Sequence, residues 1–158
     1  MADSASVKPE SLKDEVSNLL EEARMVLPGI QALFGFQFMA VFNEGFRRLE
    51  ASWQGMHLGA MLLVALAVLL VMTPAAYHRI AEPDQVSRRF TVLASRLIAG
   101  AMVPFALGVA LELAIIAYVV TENVAAAAAI ALVAALAYAG AWFVFPLRAR
   151  TRKRMPQS

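Results

Sequence analysis

Residues Gly100–Val120 read GAMVPFALGVALELAIIAYVV, and Glu112 is the one side chain in the stretch that carries a charge at neutral pH. As an α-helix rising 1.5 Å per residue the stretch is about 31 Å long. That matches the roughly 30 Å hydrocarbon core of a bilayer, so it reads as a membrane-crossing helix. A charged side chain at the bilayer centre costs about 2.5 to 3.5 kcal/mol on insertion scales. Glu112 is therefore expected to face protein or water rather than lipid.

Bulk composition agrees with that environment. Of the 158 residues 60% are hydrophobic and 16% are charged, whereas an ordinary soluble domain is about a quarter charged. Long uncharged runs take up most of the chain, which leaves room for one membrane domain and no separate soluble one. The absence of cysteine excludes disulfides and thiolate chemistry. The start of the chain is polar and lacks the basic end and short apolar core of a cleavable signal. Its net charge of +2 lies beside the apolar runs, where membrane topology explains it better than nucleic acid does.

The expected fold is all-α: an integral membrane four-helix bundle preceded by a short amphipathic cytoplasmic helix. Its crossings are Met25–Phe42, His57–Tyr77, Leu97–Val120 and Val124–Leu147. Residues 1–24 form the cytoplasmic N-terminal segment, 25–147 the transmembrane domain and 148–158 a basic cytoplasmic tail. Pro28, Gly29, Gln31, Gly35 and Gln37 make the first crossing the weakest, and a reentrant helix is its alternative. With four crossings, twelve Lys and Arg fall on one side and two on the other. The positive-inside rule then places both termini in the cytoplasm.

Local signals refine this outline. Thr121-Glu122-Asn123 is so short that the last two helices must form an antiparallel hairpin. Glu82-Pro83-Asp84 resembles a helix start, from which the third helix would run through Arg88, Arg89 and Arg96 into the bilayer. Near the N-terminus Pro9, Ser11 and Asp14 resemble a capping box. Leu12, Val16, Leu19, Leu20 and Ala23 then share one helical face, opposite an acidic face for which docking onto the basic second loop or tail is an option.

Glu112 lies sixteen residues beyond Arg96, about 24 Å along the helix and in the outer half of its crossing. Gly100, Pro104, Gly108 and Glu112 recur every four residues, a small-residue stripe that lets a second helix approach closely. Burial disfavours an ionised carboxyl, and a group that is neutral when dry and ionised when wet suits proton-coupled movement. His57 starts the second crossing at the same outer level, so the two side chains meet if those helices pack together. A satisfied, purely structural carboxyl is the competing reading.

At the inner face Arg24, Gln31, His78 and Arg79 are candidates for a polar cluster. Gln31 and Gln37 lie six residues apart, about 240° around a helix, so at least one of them meets another helix. The five basic residues from Arg148 to Arg154 could hold anionic lipid, or simply fix the tail inside. The two histidines sit at opposite faces and make no metal site. No nucleophile-base constellation, phosphate loop or dinucleotide fingerprint is present, so no enzyme activity and no cofactor are expected.

Two stretches, EEARMVLPGIQALFGFQF (Glu21–Phe38) and TPAAYHR (Thr73–Arg79), resemble a bacterial family of small, uncharacterised four-helix membrane proteins. The similarity extends over about Ser17–Leu147, and some members are labelled sodium/proton antiporters. The resemblance implies that Arg24, Pro28, Gly29, Gln31, Pro74, His78 and Arg79 belong to family motifs. It assigns no activity and does not place Glu112 in a motif. The residues by themselves point to a multi-pass inner-membrane protein that serves as a scaffold or regulatory component. A proton- or cation-coupled transporter or channel subunit using Glu112 is the alternative. Expected partners are the bilayer, anionic lipid at the tail, and a second copy or another membrane protein.

Overall fold

The computed structural model describes residues 12–82 and 87–152, which are almost entirely helical. Helix α1 spans Leu12–Ala40, and a single turn, α2, spans Glu44–Arg47. The long helices α3 (Ala51–Ala81) and α4 (Arg88–Thr121) follow. The last rod begins as α5 (Val124–Ala139), widens into a π-turn at Gly140–Val144 and ends as α6 (Phe145–Arg152). Pro9, Ser11, Pro83, Asp84, Lys153 and Arg154, on which several expectations rest, lie outside the described residues.

Three of the four expected crossings fall on helices that are long and apolar enough to span a bilayer by themselves. Among the described residues, Ala51–Ala81, Arg88–Thr121 and Val124–Thr151 are long and apolar enough to cross a membrane. Glu21, Glu22, Arg24, Gln31 and Gln37 dilute the remaining long helix below that mark. The expected N-terminal amphipathic helix is not a separate element among the described residues. Its residues form the first turns of α1, which runs unbroken through Pro28.

The reason lies in an unbroken inward seam. Val16, Leu20, Ala23, Leu27, Ile30, Phe34 and Gln37 alternate steps of three and four residues, and each is buried or partly buried. That spacing keeps one face of a helix against its neighbours. Pro28 sits outside the seam, where it removes only its own bond to the Arg24 carbonyl. Helix α3 carries a second seam of the same spacing, with His57, Ala60, Val64, Ala67, Val71 and Pro74 all buried.

These seams set the topology. Val16 packs with Phe90 and Ala94, and Ile30 packs with Val64, Ala67, Val71 and Ala101. Helix α1 therefore runs parallel to α4 and antiparallel to α3. Val16 and Gln37 are 21 residues apart, so α1 follows α4 for about 31 Å. The end of the bundle that holds Phe90 is polar and basic outside, and Glu15 lies 3.7 Å from Arg88 there.

Helices α3 and α4 make the tightest approach. A Cβ on Gly108 would lie 2.9 Å from Val64 Cγ2 and 3.1 Å from the Ala60 carbonyl oxygen. Pro104 and Gly108 of the small-residue stripe are buried, whereas Gly100 turns outward. Helix α5 is peripheral: Ala127 joins a cluster with Ala114 and Ala117, and Trp53 stacks on Tyr118 beside it at 4.0 Å. Leu132, Val133 and Leu136 face outward from it, as Leu58, Leu62 and Leu69 do from α3. This outer surface is what lipid tails solvate well and water does not.

The connections are built locally. Glu122 takes the left-handed conformation (φ 51°), and Asn123 Oδ1 accepts the amides of Ala125 and Ala126 to start α5. Ser87, not the Glu82–Asp84 region, caps α4: its Oγ accepts the Phe90 amide at 3.1 Å. Glu82 holds that cap in place by accepting the Ser87 amide and hydroxyl. The π-turn ends at Val144, two residues before Pro146, whose ring would strike the carbonyl four residues back in a regular helix. Widening that turn relieves the clash, and it brings Trp142 onto Phe105 at 6.0 Å.

A Gly108→Ala substitution forces α3 and α4 apart where neither has room to move. We expect a loss of about 1 to 3 kcal/mol, read as a lower midpoint for thermal unfolding in detergent. Gly100→Ala, which meets open space, should leave the midpoint unchanged or higher.

Candidate functional site

Three helices bring one polar side chain each to the same point. His57 is 2% exposed and Gln37 3% exposed, while the Glu112 side chain is 13% exposed. His57 Nδ1 lies 3.0 Å from Glu112 Oε1 and 3.2 Å from Oε2. Gln37 Nε2 donates to Glu112 Oε1 over 2.8 Å. The other imidazole nitrogen, His57 Nε2, lies 3.0 Å from the backbone carbonyl oxygen of Gln37.

That last contact fixes the chemistry. A carbonyl oxygen can only accept, so Nε2 must carry a hydrogen. Nδ1 then either donates to an ionised Glu112 or accepts from a protonated one. In both cases one proton is shared between the imidazole and the carboxyl, and the pair has no net charge. The two arrangements differ by moving that proton across a single hydrogen bond. A second proton, or none, would leave a net charge in surroundings that solvate charge poorly.

Neighbouring groups hold this geometry. The Phe46 ring packs edge-on against His57 with centroids 5.0 Å apart. Gln54 Nε2 anchors the turn that carries Phe46 by donating to the Phe46 and Leu49 carbonyls. Glu44, Arg47 and Arg48 on the same turn are exposed. Gln37 Oε1 is buried and has no hydrogen-bond partner. A buried acceptor left open in this way costs about 1 to 3 kcal/mol, and it lies beside the acidic member of the pair.

The site forms the floor of a cavity of about 450 Å³ with apolar walls that include Leu33, Phe36, Phe46, Ile115 and Val119. Towards the Phe90 end it is closed by packed Ile30, Val64, Ala67 and Ala101. The cavity therefore does not continue towards the Phe90 end.

Of the expected inner cluster, Arg24, His78 and Arg79 line one groove near the Phe90 end. Gln31 is not among its lining residues; it is exposed on another face of α1. Gln37 is the member of the site that residue type alone did not single out. Its seam position, with seven inward residues of α1 ending on an amide, is the signal that finds it.

Residues 7–146 match a family of unknown function, DUF6328. The chain belongs to this family. No curated protein and no solved structure matches it. Membership in DUF6328 supplies no activity, so the chemistry of the site has to be argued from its own atoms.

Removing the carboxyl should separate its packing role from its proton. Glu112→Ala strands the Gln37 amide and His57 Nδ1 without partners, at about 1 to 3 kcal/mol for each buried group. Glu112→Gln can accept from Gln37 and donate to a neutral His57. Unfolding midpoints in detergent should therefore fall clearly for the alanine variant and little for the glutamine variant.

Proposed function

We propose that the protein sits in a bacterial inner membrane and exchanges protons for monovalent cations at the His57–Glu112 pair. One observation carries this reading: an ionisable pair, held between three helices, lines an open cavity. A pair that served packing alone would be replaceable by apolar side chains, often with no loss of stability. Polar ionisable groups at membrane depth are by default functional candidates.

The stoichiometry follows from charge. Glu112 and the unpartnered Gln37 Oε1 offer oxygens to a cation, while His57 and Glu112 together hold one proton. A monovalent cation that settles beside Glu112 restores neutrality if that proton leaves. The exchange is one for one and moves no net charge. Multivalent ions would leave an excess charge in a poorly solvating site.

The orientation reading goes with it. If α1 crosses beside α4, twelve of the fourteen Lys and Arg fall on one side and both termini are cytoplasmic. If α1 lies outside the membrane, the termini fall on opposite sides and the division weakens to nine against five. The cavity above Glu112 opens to the outside in the first arrangement.

Two experiments test these readings. In proteoliposomes containing a pH-sensitive dye, an imposed sodium or potassium gradient should drive counterflow of protons, and a membrane potential alone should not. The flux should fall to that of protein-free liposomes in Glu112→Gln and in His57→Gln. No flux from folded protein would favour a scaffolding or regulatory role. Because the chain has no native cysteine, single cysteines at residues 3 and 157 can be labelled one at a time with an impermeant reagent. Both should be protected in intact cells, and labelling of either one would overturn the orientation.

A further inference from the structure

We infer that the groove between α1 and α3 near the Phe90 end is a binding site for one anionic phospholipid. Its cavity, about 790 Å³, is large enough for much of an acyl chain and a phosphate group, and its walls are nearly all apolar. Leu20 and Leu27 of α1 and Leu69, Met72 and Ala76 of α3 form those walls, and the small side chains of Ala23 and Ala75 leave the space between them unfilled. Arg24, His78 and Arg79 line the same cavity. Three nitrogen-bearing side chains on an apolar trough match a ligand with a negative head and an apolar tail.

Two of the carboxylates near this cluster are engaged elsewhere. Glu15 is engaged by Arg88, and both carboxylate oxygens of Glu82 are occupied by Ser87. Neither Arg24 nor Arg79 has an ion-pair or hydrogen-bond partner among the described residues. Thr73, the remaining polar residue of the lining, returns its hydroxyl to the Leu69 carbonyl. Arg24 and Arg79 are exposed, while His78 is partly buried with its ring 5.4 Å from Phe90. Two guanidinium groups are thus free to close on a phosphate above a fixed imidazole, as bidentate donors do well. Tyr77 stacks on Phe90 at 5.8 Å at the same level, where aromatic residues mark the boundary between headgroups and tails.

The occupant is a lipid rather than a soluble anion because the groove is mostly apolar. A free phosphate would bind the rim and leave that trough to other molecules. The site is separate from the His57–Glu112 pair and does not depend on what the pair does.

The test uses full-length protein in nanodiscs with equal amounts of phosphatidylglycerol and phosphatidylcholine, released into the gas phase for native mass spectrometry. One phosphatidylglycerol should remain bound in preference to phosphatidylcholine. An Arg24→Gln/Arg79→Gln double variant should retain it about thirtyfold less well, as expected for the loss of two basic side chains at a membrane surface. An Arg148→Gln/Arg150→Gln variant of the tail should retain it as the parent does. Equal retention of both lipids, loss only in the tail variant, or displacement by excess inorganic phosphate would overturn the proposal. Circular dichroism of the groove variant shows whether it is folded. If it is not, the single Arg79→Gln variant, exposed and unpaired, replaces it.

Discussion

Lipid offers no hydrogen bonds, and the arrangement of this protein follows from that deficit. Inside a helix the backbone supplies its own partners, so polar side chains carry the remaining demand. Gln37, His57 and Glu112 meet it together, through contacts of 2.8 to 3.2 Å that join α1, α3 and α4 at one point. Each of these helices could slide along its neighbours at little apolar cost, because a leucine is as well placed against lipid as against another leucine. The polar junction removes that freedom. A shift of α1 by one turn would separate Gln37 from both partners and leave buried donors and acceptors unpaired. Polar residues at single seam positions set register in coiled coils in the same way, at some cost in stability.

Close packing between α3 and α4 makes the junction possible. Gly108 lies one turn before Glu112, and its missing side chain lets the backbone of α4 reach Ala60 and Val64. With the axes that near, His57 can touch Glu112 directly and still reach the Gln37 carbonyl with its other nitrogen. The small residue and the ionisable pair are two parts of one device: the first sets the distance at which the second works. Pro104, one turn further back, is buried in the same interface. Its missing amide leaves the Gly100 carbonyl without a helical donor, a local softness in α4 between the site and the packed layer beneath it.

Much of this was readable in the amino-acid order. The long apolar runs suggested four crossings, of which the last three fall on membrane-compatible helices, and the place of His57 and Glu112 at the same level followed from counting residues. The tight Thr121–Asn123 link gave the last hairpin. The bounds of α1 were harder, because Pro28, Gly29 and the charges before them look like a boundary between a surface helix and a buried one. Its seam of threes and fours crosses that boundary without a break, and tertiary packing outweighs local breakers when a whole face is buried. The π-turn was not foreseen, although Pro146 marks its place. It depends on where Trp142 must go to meet Phe105, and that is a property of the assembled bundle. Nor does residue type alone tell that Gln37 takes part through its backbone as well as its amide. The role of the carbonyl in fixing the imidazole proton is visible only in three dimensions.

The dry layer between the two ends gives the protein its asymmetry. Ile30, Val64, Ala67 and Ala101 separate a polar junction near one end from a basic groove near the other. Water entering from the Asn43 end stops at Glu112, and nothing polar among the described residues of that layer could relay a proton further. Passage through the bundle would require α1 to move against α3 and α4, since α1 supplies Ile30 to the layer and Gln37 to the junction. The same helix also forms one wall of the groove where Arg24 lies. A force that draws Arg24 towards α3 therefore acts on the rod that carries Gln37, about thirteen residues and some 20 Å away. Rigid helices transmit such displacements well, because their packed faces allow a few discrete arrangements rather than a continuous range. Helices α1 and α3 thus contribute to the junction, the packed layer and the groove alike.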